Sequence, residues 1–521
     1  MLVKTFAGAV HGVEATMITV EVSAGGIPAE GDAKTPFYYL VGLPDNAVKE
    51  GWQRIEAALK NSKFSMPRVK LVVNLAPADL RKEGSAYDLP IALGVYAATN
   101  QLHFKDLDKF AIMGELSLDG SVRPIKGALP IAIQVKREKL RGLIVPKANA
   151  REAAIVNDIE VYGIENVREA IEFFEGKREL ERVIVDTRAE FANQNQNHEV
   201  DFTDVRGQEN IKRALEIAAA GGHNAILIGP PGAGKTMLAR RLPTILPPLS
   251  LHEALETTKI HSVAGILPAD ASLVAVRPFR SPHHTISDVA LVGGGSTPMP
   301  GEISLSHNGV LFLDELPEFK RTVLEVLRQP MEERRVTISR AKITIEYPSS
   351  FMLIASMNPC PCGYYNHPEK DCVCGFGVVK RYLSKISGPL LDRIDLHVEV
   401  TPVKLEQLAA VSHTSESSET IAKRVVRARE IQEARFQHNK GVYNNAQMSS
   451  RTVREVCQID NEGLELLKTA MARLQLSARA YDRILKVART IADLGESEHI
   501  KTEHLAEAIQ FRSLDRANWA G

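Results

Sequence analysis

The sequence predicts an α/β protein with two successive α/β domains and a helical C-terminal domain. Three observations support this class. β-Rich runs alternate with helical patterns over residues 1–180, and the alternation resumes at residue 201 around a glycine-rich loop. Beyond residue 403 only helical patterns remain. With 521 residues, the chain is long enough to bury several hydrophobic cores.

Composition is that of an ordinary soluble globular protein, with 44% hydrophobic and 25% charged residues. Lys+Arg and Asp+Glu both total 64, so the net charge indicates neither a nucleic acid nor a membrane partner. The sequence has no run of about 18–20 uninterrupted apolar residues and no signal-peptide pattern at its start. We therefore expect a cytoplasmic protein with no membrane partner, in which cysteines stay reduced.

The first domain is predicted over residues 1–180. Its β-rich runs MITVEV, VKLVVNLA and GLIVP are separated by helical patterns such as NAVKEGWQRIEAALKNS, which indicates a mixed α/β fold. A polar stretch rich in Asn and Gln follows, and residues 181–200 are predicted to be a linker.

A phosphate-binding loop follows the strand AILI and opens the helix TMLARRL. Its glycines let backbone N–H groups surround a phosphate, and the helix N-terminus favours negative charge. Lys235 is predicted to reach the β- and γ-phosphates, and Thr236 to bind Mg²⁺. The predicted nucleotide-binding residues of the loop are Gly229, Pro230, Pro231, Gly232, Ala233, Gly234, Lys235 and Thr236.

Two further apolar runs end on polar residues. VLFL stops at Asp314 and Glu315, which places both carboxylates at the edge of a parallel sheet where nucleotides bind. Asp314 is predicted to complete the Mg²⁺ site and Glu315 to act as the general base that polarises water. The run FMLIASM ends at Asn358, which is predicted either to contact the γ-phosphate or to form a turn before Pro359.

These motifs, together with LLDRIDL and the helical C-terminus, resemble those of AAA+ ATPases over residues 201–515. GEISLSHNGVLFLDEL and RRVTISRAKITIEYPSSFMLIASMNP are similar to the magnesium-chelatase and MCM-helicase branch. The resemblance implies a P-loop core, a parallel sheet with helices on both faces, at residues 201–403. It also implies a helical lid at residues 404–521, with ATP and Mg²⁺ as cofactors.

The same resemblance assigns two arginines. In this family the arginine of the DRIDL-type motif is the arginine finger of the next subunit, which implies that Arg393 acts in trans in a ring, most often a hexamer. Ser-Ala-Arg-Ala-Tyr at 477–481 matches the sensor-2 position. Arg479 is therefore expected to touch the γ-phosphate of its own subunit, with Arg483, one helical turn later, as the competing candidate.

The first domain resembles the Lon-protease-like domain, a ribosomal S5-like α/β fold, of the YifB/ComM group of magnesium-chelatase-like proteins. NLAPADLRKEGSAYDLPIA and GELSLDGSVRPIKGAL carry the resemblance. Active Lon-type proteases use a Ser–Lys dyad, but here Ala86 takes the position of the serine and Leu129 or its neighbour that of the lysine. Ser85 and Lys126 lie nearby, yet we expect an inactive domain that serves as scaffold or engages DNA.

Resemblance to the YifB/ComM group implies an ATP-driven hexameric motor on branched or single-stranded DNA. Such a translocase promotes branch migration in homologous recombination or natural transformation. The basic segment RRVTISRAK is predicted to form a hairpin that contacts phosphates, whereas the basic helix IAKRVVRAREIQEAR is more typical of a solvated face. The alternatives are a chelatase-like ATPase that remodels a protein partner, an ATP-dependent protease, and a scaffold without activity.

Four of the five cysteines form two Cys-x-Cys pairs in an insertion at residues 360–374. Four thiolates fit tetrahedral Zn²⁺, although the usual spacing is wider. An unmetallated loop and redox chemistry are the alternatives, and His367 is a possible substitute ligand. The adjacent His283 and His284 are expected to point to opposite faces of an extended segment and receive no role. The predicted ligands are Cys360, Cys362, Cys372 and Cys374.

Overall fold

The structure is a computed structural model, and the statements below concern the residues that it describes. These are residues 1–25, 38–65, 69–100, 102, 104–194, 200–268, 271–295, 298–340, 343–375, 377–402, 415–439, 441–474 and 476–512. Part of the predicted linker, the boundary at residue 403 and the basic residue Lys342 lie outside them. No helix within the described ranges has the length and apolar character that a membrane crossing requires.

Strands and helices are interspersed as far as Glu399, and only helices follow in the described residues. The strands are β1 Leu2–His11, β2 Glu14–Gly25, β3 Tyr38–Val41, β4 Lys70–Ala76, β5 Phe110–Ile112, β6 Glu115–Leu116, β7 Val122–Arg123, β8 Gly142–Pro146, β9 Glu160–Ile164, β10 Ala225–Ile228, β11 Phe279–Arg280, β12 Gly293–Gly294, β13 Met299–Pro300, β14 Val310–Leu313, β15 Arg335–Arg340, β16 Ile343–Pro348, β17 Met352–Met357 and β18 Leu396–Glu399.

The helices are α1 Asn46–Asn61, α2 Asp88–Thr99, α3 Ala128–Arg137, α4 Lys147–Ala153, α5 Val167–Phe174, α6 Thr187–Gln194, α7 Glu209–Gly221, α8 Lys235–Arg241, α9 Leu251–Ala264, α10 Asp288–Val292, α11 Glu302–Leu305, α12 Arg321–Glu325, α13 Arg328–Glu333, α14 Val378–Leu383, α15 Gly388–Leu391, α16 Ser418–Phe436, α17 Ser450–Val456, α18 Asn461–Leu474, α19 Ala478–Leu494 and α20 Thr502–Gln510.

The chain folds into two compact units. Unit 1 contains Met1–Gln194 and Leu251–Ala275, and unit 2 contains Asn195–Ser250 and Val276–Gly521. Helix α9 therefore belongs to unit 1, although it follows the glycine-rich loop in sequence. Within unit 1 the carbonyl of Ser262 on this helix accepts a hydrogen bond from the N–H of Gly127 at 3.1 Å.

Unit 1 is built on a mixed seven-stranded sheet in the order β3-β4-β2-β1-β5-β8-β9. The long strands β1 and β2 pair antiparallel, whereas β5, β8 and β9 pair in parallel. Helices α2 and α3 pack on the strands and bury almost all their apolar side chains. This mixed α/β arrangement agrees with the class predicted for the first domain.

Unit 2 contains a parallel five-stranded sheet in the order β11-β14-β17-β10-β18. Every side chain of β10, β14 and β17 is buried, which explains why these strands are continuous apolar runs in the sequence. Because the strands run in parallel, their carboxyl ends meet at one edge. Strand β17 lies between β10 and β14, so the residues after all three strands are neighbours.

Helical elements complete unit 2. Helix α7 packs against α16 and α19, and their apolar side chains share one core with the parallel sheet. Strands β15 and β16 form the expected antiparallel hairpin. The predicted fold class, a P-loop core with a C-terminal helical region, is confirmed.

Candidate nucleotide site

The glycine-rich loop joins β10 to the first residue of α8. Gly232 and Gly234 have φ angles of 77° and 80°, a left-handed conformation that side chains with a Cβ rarely adopt. The ammonium of Lys235 donates to the carbonyls of Gly229 at 2.7 Å and Pro230 at 3.0 Å. Lys235 is 8% exposed, and its burial lowers the pKa of the ammonium against the opposing effect of nearby carboxylates. The glycine-rich loop thus surrounds the largely buried ammonium of Lys235.

A hydroxyl and a carboxylate meet beside this lysine. The hydroxyl of Thr236, the second residue of α8, donates to Oδ2 of Asp314 at 2.7 Å. Ser356, on β17, donates from its hydroxyl to the other carboxylate oxygen of Asp314. Hydroxyl and carboxylate oxygens are the ligands that Mg²⁺ uses in phosphate sites. The two predicted Mg²⁺ ligands are therefore in direct contact, and Ser356, which the sequence did not single out, orients one of them.

Glu315 follows Asp314 in a left-handed backbone conformation, with φ of 55°. More than half of its side chain is exposed. Its Oε2 lies 3.3 Å from Nδ1 of His284. His284 received no role from the sequence, because this contact depends on the segment after β11 reaching the end of β14.

The expectation for the two histidines was wrong. The rings of His283 and His284 lie 4.1 Å apart between centroids, so they share one side of the chain. The reason is a turn in which the N–H of Ile286 donates to the carbonyl of His283 at 3.0 Å. The alternation of faces holds for extended strands and not for such turns.

Asn358 follows β17 and reaches the loop from the next strand. Its Oδ1 accepts a hydrogen bond from Nζ of Lys235 at 3.2 Å, and the N–H of Gly229 donates to the carbonyl of Met357 at 3.2 Å. The sheet order explains this contact, because β17 is hydrogen-bonded directly to β10. An amide, an ammonium, a hydroxyl and two carboxylates thus converge at one sheet edge.

Arg393 lies in the turn before β18 and is 8% exposed. Its guanidinium donates to the carbonyl of Pro389 and pairs with Glu332 of α13, both at 2.5 Å. Its hydrogen bonds and ion pair in the described residues do not involve the glycine-rich loop.

Two arginines of α19 meet the same turn. Arg479 is 67% exposed and lies 3.9 Å from a carboxylate oxygen of Asp392. Arg483 forms an ion pair with the buried Asp395, whose other oxygen lies 3.1 Å from Nδ1 of His223. Burial alone raises the pKa of Asp395, but the positive charge of Arg483 and the His223 hydrogen bond bring it well below the usual range. Of the two candidate sensor arginines, Arg479 is thus the more accessible.

The four predicted cysteine ligands come together in the loop between β17 and α14. Their sulfur atoms all lie within 4.8 Å of one another. The Sγ of Cys360 lies 3.3 Å from that of Cys362 and 3.7 Å from that of Cys372. A tetrahedral site with Zn–S bonds of about 2.3 Å separates its sulfurs by about 3.8 Å. His367 is outside this group, and its Nδ1 accepts the N–H groups of Glu369 and Lys370.

Ser85, which lies beside the serine position of the protease dyad, and Lys82, earlier in the same motif, hydrogen-bond to other groups of unit 1. The Ser85 hydroxyl donates to the carboxylate of Glu115. The ammonium of Lys82 is fully buried and donates to the carbonyls of Pro77 and Leu80. Burial lowers the pKa of Lys82, with Asp79 acting in the opposite sense. These contacts are those of a structural network.

Together, the fold and the converging residues define a P-loop AAA+ protein of the magnesium-chelatase type. Comparison with known families agrees. Residues 201–408 match the family described as magnesium chelatase, subunit ChlI, residues 15–149 match subunit ChlI of Mg-chelatase, and residues 415–512 match the C-terminal region of that subunit.

Individual relatives refine this class. The chain is 41% identical over 517 residues to competence protein ComM of Haemophilus influenzae, covering 99% of this chain and 98% of that protein. It is 44% identical over 506 residues to YifB of Escherichia coli K12, covering 97% and 96%. A shorter similarity, 31% over 150 residues, links 27% of the chain to 26% of Lon protease 2 of Bacillus subtilis. The chain belongs to the ComM/YifB family of magnesium-chelatase-like proteins.

Proposed function

We propose that this protein is an ATP-hydrolysing hexameric motor that translocates on branched or single-stranded DNA and promotes branch migration in recombination or natural transformation. The observation that carries the proposal is the convergence of Lys235, Thr236, Asp314 and Asn358 at one sheet edge. Similarity to a protein named for competence supports the DNA role. Remodelling of a protein partner is the alternative within the same family.

Each residue of the candidate nucleotide site is assigned a role in ATP hydrolysis. Lys235 and the loop N–H groups bind the phosphates, and Thr236 with Asp314 holds Mg²⁺, which neutralises charge as the γ-phosphate leaves. Glu315 accepts the proton of the attacking water, and His284 positions its carboxylate. Asn358 and Arg479 bind the γ-phosphate in this scheme. Phosphoryl transfer needs mainly positioning and charge stabilisation, which this set of side chains supplies.

Arg393 is proposed to act on the nucleotide of the neighbouring subunit. In the single chain it pairs with Glu332, so the guanidinium must exchange this carboxylate for phosphate when a ring forms. Such a finger contributes about 10³–10⁵-fold to hydrolysis in other nucleotide-hydrolysing enzymes. Arg393→Ala is therefore expected to bind ATP and lose most hydrolysis.

Mixing two inactive variants tests the contribution in trans. Lys235→Ala subunits keep the finger, and Arg393→Ala subunits keep the loop, so mixed rings contain some complete sites. Hydrolysis that reappears on mixing supports the ring, whereas mixtures as inactive as either variant alone contradict it. Two separately prepared batches of Arg393→Ala, mixed in the same way, provide the control.

DNA contact is assigned to the β15–β16 hairpin. Arg335 is more than half exposed, although it lies within 4 Å of Glu333 and Glu346. Arg340 ends the strand, at the turn of the hairpin. By contrast, basic residues of α16 such as Arg424 and Arg435 form ion pairs with Glu416 and Asp493. The hairpin is thus the better candidate for binding phosphates.

The decisive assay is ATP hydrolysis by purified protein with forked DNA, Holliday-junction DNA or no DNA, at low and moderate salt. We expect stimulation by branched DNA that weakens as salt rises, because phosphate contacts release counterions. Lys235→Ala is the control for contaminating ATPases. Neither stimulation nor binding at low salt would exclude the DNA motor and leave a protein-remodelling ATPase.

The cysteine cluster is proposed to hold one Zn²⁺. The sulfurs of Cys360, Cys362 and Cys372 lie 3.3–3.7 Å apart, close to the separation of about 3.8 Å in a tetrahedral zinc site, and all four cluster sulfurs lie within 4.8 Å of one another. Cys360 is buried, and the other three cysteines of the cluster are partly buried. Metal analysis of protein purified without chelators is expected to find one zinc per chain. Less than half an equivalent, with four titratable thiols, would reject the site.

A further inference from the structure

The cysteine loop begins where the nucleotide site ends. It runs from residue 358, directly after β17, to residue 377, directly before α14. No helix or strand forms in its described residues. Loops longer than about 12–15 residues without regular structure are uncommon in compact domains. Contacts other than strand or helix hydrogen bonds must therefore order this segment. The four cysteines, whose sulfurs lie within 4.8 Å of one another, are the group that can do so.

The loop also contacts the phosphate-binding loop directly. Gly363 has a φ angle of +84°, and a Cβ added there would lie 2.5 Å from Cδ of Pro231. Gly363 thus packs against the ring of a residue in the glycine-rich loop. The N–H of Gly363 donates to the carbonyl of Cys360 at 3.0 Å, which ties this contact to the first thiol.

Two further links lie on the N-terminal side of the cluster. The carbonyl of Met357 accepts the N–H of Gly229, and the amide of Asn358 accepts a hydrogen bond from Lys235. On the other side, Tyr365 donates its N–H to the sulfur of Cys360 at 3.3 Å. A pocket lined by Gly229, Pro230, Gly363 and Tyr365 lies where the two loops meet.

From this arrangement we infer that zinc in the cysteine cluster holds the glycine-rich loop in its nucleotide-binding conformation, so that metal occupancy controls nucleotide affinity. The inference rests on the proposed ATPase function and on the proposed zinc site. With the metal, Cys360 and Gly363 are fixed, and Gly363 supports Pro231 from the outside. Without it, the loop gains conformational freedom and the glycine-rich loop loses that support. Nucleotide binding must then restore order, which weakens affinity.

The test measures the Kd of ADP by isothermal titration in the full-length protein, with Mg²⁺ and at fixed salt. Protein as purified is compared with protein treated with a zinc chelator, and with the treated protein after zinc is added back. The Kd is expected to rise about tenfold on zinc removal, a change of about 1.4 kcal/mol, and to return on re-addition. Reversal excludes irreversible unfolding as the cause.

Variants distinguish the effect of losing zinc from the effect of altering the contact between Gly363 and Pro231. Cys372→Ala is expected to lose zinc and bind ADP about tenfold more weakly, whereas Cys457→Ala, a buried cysteine outside the cluster, retains both zinc and affinity. Gly363→Ala is expected to keep one zinc per chain and still weaken ADP binding, because its Cβ displaces Pro231. Weak ADP binding with zinc retained would show that the contact between Gly363 and Pro231 affects the nucleotide site, and the comparison with and without zinc then tests whether the metal acts through it.

The outcomes that overturn the inference are distinct. Equal ADP affinity with and without zinc rejects the coupling and leaves both the ATPase and the metal site in place. Absence of zinc from the purified protein rejects the metal site and with it the coupling. Failure of the zinc-loaded protein to bind ADP or ATP rejects the ATPase function itself.

Discussion

The candidate nucleotide site of unit 2 and the protease-like site of unit 1 contain similar side chains in different surroundings. Each has a lysine, a hydroxyl and a carboxylate. In unit 2 the ammonium of Lys235 donates to backbone carbonyls of the glycine-rich loop, and Thr236 contacts Asp314. In unit 1 the ammonium of Lys82 is fully buried, and Ser85 donates to Glu115.

This difference separates side chains that are available to a ligand from those that hold the fold. Lys82 is fully buried and donates to two carbonyls of its own segment, so we expect it to stabilise that turn and not to activate a serine. A cation and a hydroxyl–carboxylate pair at the edge of a parallel sheet are where nucleotides bind in such folds. The same residue types therefore predict function only when their partners are known.

The largest effects are expected when each of the two lysines is replaced in turn. Lys235→Ala is expected to abolish ATP binding and reduce hydrolysis to background, because no other cation lies within the loop. Lys82→Met is expected to leave hydrolysis intact and reduce the free energy of unfolding of unit 1 by about 1–3 kcal/mol, since two buried carbonyls lose their donor. Hydrolysis assays and denaturant unfolding measure both effects.

If Lys82→Met abolished hydrolysis in a folded protein, the separation of roles between the two sites would be wrong. Far-UV circular dichroism of each variant provides the control for folding.

The next largest effect concerns the chemical step alone. Glu315→Gln keeps the size and polarity of the side chain but removes the base, so hydrolysis is expected to fall by about 10²–10⁴-fold while ATP binding persists. Single-turnover hydrolysis and ATP titration separate the two quantities. Glu318→Gln, also at an acidic position after β14, is the matched control and is expected to retain activity. Loss of ATP binding in Glu315→Gln would mean that the residue binds Mg²⁺ or nucleotide instead.

Several parts of this site were predictable from the sequence. The glycine-rich loop, Asp314 and Asn358 each follow a continuous apolar run, and parallel strands bring such residues to one edge. The four cysteines were also predicted as a group, and their sulfurs do converge. The proximity of these residues could be anticipated because it depends on short segments and on one general rule of strand geometry, whereas their functional roles stay predictions.

Other features depend on contacts between distant segments. His284 reaches Glu315 only because the turn after β11 folds over the end of β14, and the sequence suggested that its ring would point away from that of His283. The membership of α9 in unit 1 follows from packing against Gly127, which no local pattern reveals. The partner of Arg393, Glu332, lies on a separate short helix.

A smaller effect is expected from the ion pairs between α19 and the turn before β18. Asp395→Asn leaves Arg483 without its buried partner and is expected to cost about 3–5 kcal/mol in the free energy of unfolding. Asp392→Asn, the matched control, breaks a pair with the exposed Arg479 at 3.9 Å and is expected to cost less than about 1 kcal/mol. Urea denaturation at neutral pH compares the two.

The stability difference between the wild type and Asp395→Asn should depend on pH in a predictable direction. Because folding lowers the pKa of Asp395, its contribution to stability is present above the ordinary value of 3.8 and is lost as pH falls toward the folded value. The difference in stability between the wild type and Asp395→Asn should therefore be constant from pH 7 to 5 and shrink below about pH 4. A difference that grows in acid would contradict the assigned ion pair.

The remaining prediction concerns Ser85 in the protease-like site of unit 1. Ser85→Ala removes a hydroxyl that donates to Glu115, so the free energy of unfolding should fall by about 1.5–3 kcal/mol, the range for hydrogen bonds to charged groups. ATP hydrolysis should not change, and casein incubated with ATP should remain intact with both wild type and variant. If the wild type cleaved casein and Ser85→Ala did not, Ser85 would be a nucleophile rather than a structural donor, and the two units would both be enzymes.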